Sequence, residues 1–229
     1  MGKEGKLFVL TGIDGSGKAT QTRLLVEKLR NQGMEAAIFD FPQYENGFFG
    51  RLAARYLRGE FGDAAEVNPY LASMIYAADR WEARDRIIRS MEEGGIVVCN
   101  RYVCDNMAHQ GAKLKNESER KRFYGWLEEM EYSVYGLPHA DLVIFFDVPV
   151  DAAGKLIDKK GARGYLEGED RDMHERNLDH LSAARQAYLE LAKTYFNWVR
   201  VECMKEGEMQ PPERIAESVW REITRHLNG

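Results

Sequence analysis

Short apolar runs and longer amphipathic stretches alternate along the chain. Each run has the length of a strand, and the fourth is almost wholly apolar, which is typical of a strand covered on both faces. Each run therefore predicts one β-strand. The five predicted strands are Lys6–Thr11, Ala36–Phe41, Ile96–Cys99, Leu142–Val148 and Trp198–Glu202.

The amphipathic stretches repeat their apolar residues every three or four positions, as helices do. Strands that alternate with helices predict an α/β fold with a five-stranded parallel sheet flanked by helices. The chain shows no internal repeat and no Pro/Ser-rich linker, so we expect a single domain over residues 1–229. The predicted helices are Gln21–Asn31, Pro69–Glu92, Glu117–Tyr135, Met173–Phe196 and Pro212–Leu227.

The first predicted strand runs directly into a glycine-rich loop with the sequence GIDGSGKAT. Its glycines and lysine satisfy GxxxxGK, and the position between a strand and a helix gives that pattern its meaning. The N–H groups of such a loop can bind phosphate, and Lys18 adds a full positive charge. We therefore predict a nucleotide phosphate site rather than a structural turn. It comprises Gly12, Ile13, Asp14, Gly15, Ser16, Gly17, Lys18, Ala19 and Thr20.

One position of this loop departs from the full pattern. Ala19 stands where a serine or threonine hydroxyl normally binds Mg²⁺. Thr20, one position later, would have to point differently to replace that hydroxyl. The sequence leaves open how the ion is held.

Aromatic and cationic residues follow two of the predicted strands and recur on a helix. Phe41 and Tyr44 belong to FPQY after the second strand, and Arg101 follows the third. The carboxyl ends of strands in an open parallel sheet are where ligands bind. Tyr76 and Arg80 share a helix face, where a ring can stack on a base and a guanidinium can bind its edge. Helical spacing alone favours a core tyrosine with a surface arginine instead.

Charge and cysteine content narrow the choice of partners and compartment. A net charge of -5 and a pI of 5.7 argue against nucleic acid or an anionic membrane as a partner. The basic run Lys113–Arg122 is interrupted by Glu117 and Glu119, so a polynucleotide-binding ATPase is disfavoured. Three cysteines without a CxxC pair, and an apolar start too short for a signal sequence, predict a cytoplasmic protein.

These motifs, in this order and spacing, resemble the thymidylate kinase family, P-loop enzymes that transfer the terminal phosphoryl group of ATP to dTMP. The resemblance covers most of the chain and implies the nucleoside monophosphate kinase architecture, ATP and Mg²⁺ as cofactors, dTMP as the second substrate, and a homodimer. It also implies that the polar, glycine-punctuated segment 159–172 is a lid over ATP. The matching motifs are GIDGSGKATQ, FPQY, LRGEFG, YAADR, NRYVCDNMAHQGAK and DRDMHE.

The resemblance also implies roles for single residues. Lys18 would bind the ATP phosphates, Arg101 would clamp the monophosphate and Arg163 would act from the lid, which makes these three the expected catalytic group. Tyr76 would stack on the base, and Arg80 would read its edge. The other expected contacts with the acceptor nucleotide are Asp14, Phe41, Tyr44, Asn106, His109, Gln110, Asp172 and Glu175.

Two further residues depart from the family pattern, and one assignment has an equal alternative. Asn100 replaces an aspartate that the family associates with magnesium, and His109 replaces an aromatic residue beside the sugar. Asp172 could simply suit the start of a helix, where negative charge is favoured.

Two accounts of the departures compete. Either ATP oxygens and water hold the ion and activity survives, or the chain binds nucleotides without catalysis. The set of phosphate-handling cations favours an active enzyme. A kinase for another nucleoside monophosphate stays an alternative.

Overall fold

The computed structural model describes residues 5–64, 66–158 and 178–228, which contain one five-stranded parallel sheet. All five predicted strands are confirmed, with ends that differ by at most one residue. The strand order across the sheet is β2-β3-β1-β4-β5. The strands are β1 (Lys6–Thr11), β2 (Ala36–Asp40), β3 (Ile96–Asn100), β4 (Leu142–Asp147) and β5 (Trp198–Glu202).

Helices connect the strands, and a two-stranded hairpin, β6 (Met204–Lys205) and β7 (Glu208–Met209), follows the sheet. A π-helix, Glu129–Val134, continues the fifth α-helix. The α-helices are α1 (Lys18–Asn31), α2 (Phe48–Leu57), α3 (Pro69–Glu92), α4 (Val103–Gly111), α5 (Glu117–Glu128), α6 (Val150–Asp158), α7 (Leu178–Thr194) and α8 (Pro212–Asn228).

The predicted helix Glu117–Tyr135 changes type in its last part, because the backbone widens into the π-helix after Glu128. A repeat of 3.6 residues gives no warning of such a change, which depends on contacts made elsewhere in the fold. Periodicity also missed α2, α4 and α6, which are only 10, 9 and 9 residues long. Helices this short contain too few turns for a helical repeat to be recognised in the sequence.

The sheet is buried in its middle and opens at the carboxyl ends of its strands. All six residues of β4 are buried, as the apolar run Leu142–Val148 predicted. The chain leaves β1 towards β2 and returns across β1 when it passes from β3 to β4. Such a reversal leaves a crevice beyond the strand ends, and this is where open α/β sheets bind ligands.

Helix α3 fixes the segment that follows β2. The Asp79 carboxylate accepts hydrogen bonds from the backbone N–H of Gln43 at 3.0 Å and from its side-chain amide at 3.3 Å. Glu82, one turn later, accepts from the N–H groups of Phe48 and Phe49 at the start of α2. The loop after β2 and the start of α2 are therefore both tied to one helix.

Part of the prediction lies outside the described residues. The segment 159–172, expected to be a lid, belongs to that part, as do Arg163, Asp172 and Glu175 and the first residues of the predicted helix Met173–Phe196. The single-domain extent of 1–229 stays a prediction. Among the described helices, none has the length and the apolar character that a membrane crossing requires.

Candidate active site

The glycine-rich loop links β1 to α1 with a backbone that only glycine adopts readily. Gly12, Gly15 and Gly17 have φ angles of 146°, 79° and 87°. A Cβ atom on Gly15 would lie 2.2 Å from the carbonyl oxygen of Ala153, so a side chain has no room there. The loop therefore needs glycine at all three positions for conformation, and at Gly12 and Gly15 also for space.

Lys18 folds back over this loop. Its side chain is only 6% exposed, and its Nζ donates to the carbonyl oxygens of Gly12 at 2.7 Å and Ile13 at 2.9 Å. These bonds hold the ammonium group at the loop, where a phosphate could exchange for the carbonyl partners.

A cavity of about 660 Å³ opens in front of the loop. Its walls come from the loop, the segment after β2, α3, the end of β3 and α4. All of the predicted acceptor contacts that the structure describes line it. These are Asp14, Phe41, Tyr44, Tyr76, Arg80, Arg101, Asn106, His109 and Gln110.

Three residues of the predicted phosphate site do not line this cavity. They are Gly12, Ile13 and Thr20, whereas the continuous stretch from Asp14 to Ala19 does line it. Ile13 has no exposed surface because it packs into the core. Gly12 contributes through its backbone, because its carbonyl oxygen accepts from Lys18.

Arg101 lies at a sharp bend directly after β3. Its φ of 69° is left-handed, which is uncommon for a residue with a side chain, and its N–H still donates to the carbonyl of Leu10 in β1. The guanidinium bridges two carboxylates, with Nη2 2.5 Å from Asp14 and Nη1 2.9 Å from Asp105. Burial alone would lower the pKa of Arg101, but the two carboxylates raise it, so the cation is retained.

Asp105 organises this corner, and the sequence prediction missed it. Besides Arg101, its carboxylate accepts from the Thr11 hydroxyl at 2.8 Å, the Tyr188 hydroxyl at 2.7 Å and the Tyr102 N–H at 3.0 Å. It thereby joins β1, α4 and α7 to the arginine. Spacing offered a signal, because Asp105 stands four residues after Arg101, at the separation of neighbours on a helix.

His109 continues the chain of contacts from Arg101. Its Nε2 lies 3.3 Å from Arg101 Nη1, and its Nδ1 lies 3.5 Å from Nε2 of His180. A guanidinium can only donate, so His109 accepts at Nε2 and carries its proton at Nδ1, from which it can donate to His180. Burial and the nearby Lys113 lower the pKa of His180 to about 4, so His180 is neutral at pH 7.

Arg80 is buried, and the surface arginine that helical spacing alone favoured is wrong. Its side chain is 3% exposed and makes a two-point ion pair with Glu131, with both N–O distances at 2.6 Å. Asn106 donates to the same carboxylate at 3.0 Å and to the Ser73 carbonyl at 3.1 Å. Burial lowers the pKa of Arg80 and Glu131 raises it, and the net shift is upward.

Glu131 was missed because its partner is 51 residues away, and no local pattern connects them. It lies on the π-helix and has no exposed surface. Tyr76, one turn before Arg80, packs edge-on against Tyr56 with ring centroids 5.9 Å apart. The helix face predicted to hold the base thus carries an aromatic ring and a fixed cation side by side.

Asp40 and Asn100 meet where β2 and β3 end, and they are register partners in the sheet. Asn100 is 8% exposed, and its Nδ2 donates to Asp40 Oδ1 at 2.7 Å. Within the described residues, Asn100 Oδ1 has no hydrogen-bond donor. The prediction did not include Asp40, although its place at a strand end was a signal.

The described residues contain no group of three or more His, Cys, Asp or Glu side chains that could hold a metal ion. Ala19 lines the cavity without a hydroxyl. The oxygens of Asp40 and Asn100 are nevertheless of the kind Mg²⁺ prefers, and this ion usually keeps several waters rather than a full protein cage. The buried Asn100 oxygen also needs a donor, which a metal-bound water would supply. The site therefore fits a magnesium ion carried by nucleotide phosphates.

Comparison with known proteins gives a consistent result. A family model described as thymidylate kinase matches residues 10–209. The chain is 30% identical to the thymidylate kinase of Mycobacterium tuberculosis over 186 residues, which cover 81% of this chain and 85% of that protein. It is 32% identical to the thymidylate kinase of Homo sapiens over 208 residues, covering 90% and 86%. The solved thymidylate kinase of Candida albicans shares the fold, with a TM-score of 0.73, 20% identity and coverage of 98% and 94%.

Proposed function

The chain belongs to the thymidylate kinase family, and from this premise we propose that it transfers the terminal phosphoryl group of ATP to dTMP, giving dTDP and ADP. One observation carries the proposal. The phosphate loop and the pocket formed by Tyr76 and Arg80 open into the same cavity, which Arg101 also lines while it is paired with Asp14 of the loop. A donor phosphate and an acceptor nucleotide can therefore be held in one cavity, as phosphoryl transfer requires.

At the phosphate end, the chain supplies positive charge and little else. Loop N–H groups and Lys18 would bind the ATP phosphates, with the ammonium leaving its two carbonyl partners. Arg101 would bind the acceptor phosphate while Asp14 and Asp105 hold its guanidinium. The acceptor oxygen is already anionic, so no strong general base is needed. A lid cation, for which Arg163 is our candidate, would complete the group.

At the base end, the pocket offers one stacking ring, one cation and two buried acceptors. Arg80 uses Nε and Nη2 for Glu131, which leaves Nη1 as the guanidinium nitrogen that a base carbonyl could meet. The side-chain oxygens of Asn106 and Gln110 are buried without a donor in the described part of the chain. A base with both a ring N–H and a carbonyl, such as thymine, supplies the missing donor and accepts from the arginine.

Magnesium belongs to this proposal as the partner of ATP. When bound, it would neutralise developing charge on the transferred phosphoryl group. The three cysteines are free and buried, which supports a reducing compartment such as the cytoplasm.

A homodimer also belongs to the proposal. Leu71, Met74 and Trp81 are 63%, 46% and 49% exposed and lie along one face of α3. Phe48 and Val134, at 62% and 70%, are exposed on the adjoining α2 and π-helix. Exposed apolar side chains concentrated in one region indicate a surface that is covered in the assembled protein, and a second copy of the chain would cover it.

A coupled assay tests the reaction directly. Purified full-length protein is given ATP, Mg²⁺ and, in separate reactions, dTMP, dUMP, dGMP, dCMP, CMP and UMP. We expect ADP to form fastest with dTMP. If a different monophosphate is converted fastest, that nucleotide and not dTMP is the substrate. If ATP binds but no monophosphate is converted, the protein binds nucleotides and is not a kinase.

A further inference from the structure

The ends of β2 and β3 carry a paired carboxylate and amide that the reaction as proposed does not use. Asp40 and Asn100 are hydrogen-bonded at 2.7 Å, both line the cavity, and they stand side by side in the sheet register. Asp40 is exposed, whereas Asn100 is buried. The pair therefore presents one negative charge at the edge of the cavity, held in place by a buried amide.

The single negative charge of the Asp40 carboxylate suits a magnesium site at this edge of the cavity. The resemblance implies an aspartate at position 100, and here that position is an amide. If both positions held carboxylates, their oxygens would face each other at hydrogen-bond distance and repel, or one would have to keep a proton. An amide at 100 and a carboxylate at 40 therefore keep a single negative charge while placing it on the neighbouring strand.

The buried amide oxygen of Asn100 also indicates a hydrated magnesium ion. Asn100 is more than nine-tenths buried, and within the described residues its Oδ1 has no donor. An unsatisfied buried acceptor is unfavourable, so a ligand that brings a donor is favoured there. Waters bound to Mg²⁺ are such donors, and this ion retains several of them when it is held by phosphates.

We propose that Asp40 and Asn100 together hold the hydrated Mg²⁺ of the bound nucleotide, with the carboxylate of Asp40 supplying the negative charge that the amide at position 100 lacks. Asp40 supplies the charge, and Asn100 positions it through Nδ2. Ala19 is then tolerated, because the loop hydroxyl is not the only protein contact with the hydrated ion. This inference rests on the proposed function in one respect, since it assumes that a nucleotide brings the metal.

The test measures metal binding without catalysis. Mn²⁺ replaces Mg²⁺, and electron paramagnetic resonance reports free Mn²⁺ while full-length protein and ADP are titrated without any monophosphate. Asp40→Asn should weaken Mn²⁺ binding to the protein–ADP complex about tenfold. This is the lower end of the loss seen when a residue that hydrogen-bonds to a metal's ligands is removed. The double exchange Asp40→Asn with Asn100→Asp should bind within about threefold of the wild type, because it returns the carboxylate to position 100.

A matched control comes from the same cavity. Glu45 also lines it and is exposed, so Glu45→Gln removes an equal charge without touching the pair. We expect Mn²⁺ binding to be unchanged in that variant. Thermal unfolding and ADP affinity without metal show that each variant is folded. If Asp40→Asn alone does not fold, the double exchange still decides, because it keeps one carboxylate and one amide.

Three results would overturn the inference: unchanged Mn²⁺ binding in folded Asp40→Asn, a double exchange that stays as weak as that variant, or an equal loss in Glu45→Gln. The outcome is independent of the reaction assay. A protein that phosphorylates dTMP yet shows no effect of Asp40→Asn retains its proposed function and loses this site. A protein that shows the Mn²⁺ effect yet phosphorylates no monophosphate retains the site and loses the proposed function.

Discussion

Arg101 shows how much of this site depends on the surroundings of a single side chain. Its left-handed backbone and its two carboxylate partners hold the guanidinium between the phosphate loop and α4. Backbone conformations of this kind persist only where neighbouring contacts enforce them, and they concentrate at ligand sites. Asp105 supplies that enforcement through five hydrogen bonds to its carboxylate.

The first prediction at this scale concerns Lys18. Lys18→Met keeps the length of the side chain but removes the charge that would stabilise the transferring phosphoryl group. We expect kcat to fall at least about 100-fold, as when one preorganised donor is removed from a reacting oxyanion. Steady-state kinetics with ATP and dTMP measure this. The control is Lys28→Met on the exposed face of the same helix, which should leave kcat unchanged, and a Lys18→Met enzyme with normal turnover would exclude the lysine from the reaction.

The second prediction concerns Glu131, which positions Arg80. Glu131→Gln keeps the shape of the side chain but leaves the buried guanidinium without its counter-charge. We expect unfolding free energy to fall by about 3–5 kcal/mol, as for other buried pairs that lose one partner. We also expect the KM for dTMP to rise about tenfold, equivalent to ~1.4 kcal/mol, with the KM for ATP unchanged.

Urea unfolding and substrate-specific kinetics separate these two effects. Glu129→Gln is the matched control, because Glu129 lies on the same π-helix and is exposed. A purely structural role for Glu131 would lower stability in the same way but would leave the ratio of the two KM values unchanged.

At the scale of elements, α3 assembles the side of the cavity where the acceptor nucleotide is proposed to bind. It carries Tyr76 and Arg80 on one stretch, and through Asp79 and Glu82 it fixes the loop after β2 and the start of α2. Asp79 is fully buried, and burial raises the pKa of its carboxyl from 3.8 to about 6, against the opposing effect of the Gln43 N–H. The tether between α3 and the loop is therefore sensitive to pH.

The pH dependence follows from the direction of that shift. Because the pKa of Asp79 is higher in the folded protein, its protonated form favours folding, and this contribution is full below about pH 4 and is lost as pH rises through 6. Asp79→Asn imitates the protonated form at every pH. We therefore expect the unfolding free energy of the variant, relative to wild type, to increase by about 2 kcal/mol between pH 4 and pH 7.

Urea unfolding of both proteins at pH 4, 5, 6 and 7 measures the difference and cancels the titration of other groups. Asp85→Asn on the same helix is the control, because the Asp85 side chain is 87% exposed. A difference between wild type and Asp79→Asn that stays constant with pH would contradict the assignment.

At the scale of the whole molecule, helix α3 also has an exposed apolar face, on the proposed dimer interface. The proposed dimer predicts that Trp81→Glu places a charge in the interface and shifts the protein to monomers. Light scattering coupled to size-exclusion chromatography at micromolar concentration measures the mass. Phe196→Glu, a change at an equally apolar and fully exposed residue after α7, should leave the dimer intact. A wild-type protein that is monomeric throughout would refute the proposal.

The sequence by itself determined the five strands, their parallel arrangement and the phosphate loop. These features depend on local chemistry: apolar runs that must be covered on both faces, and glycines that the loop requires for its φ angles. The resemblance to a family added the acceptor pocket, and the nine residues it implied that lie in the described part of the chain do line one cavity. Arg163, Asp172 and Glu175 stay predictions.

Only the tertiary structure decided which groups hold those residues in place. Glu131 reaches Arg80 from 51 residues away, and Asp40 meets Asn100 across 60 residues because β2 and β3 are neighbours in the sheet. Hydrogen bonds and ion pairs at such separations depend on strand order, on burial and on a π-helix, none of which a local pattern encodes. For this reason GIDGSGKAT predicted a phosphate site, while the candidate for holding its magnesium emerged only from two strand ends brought together by folding.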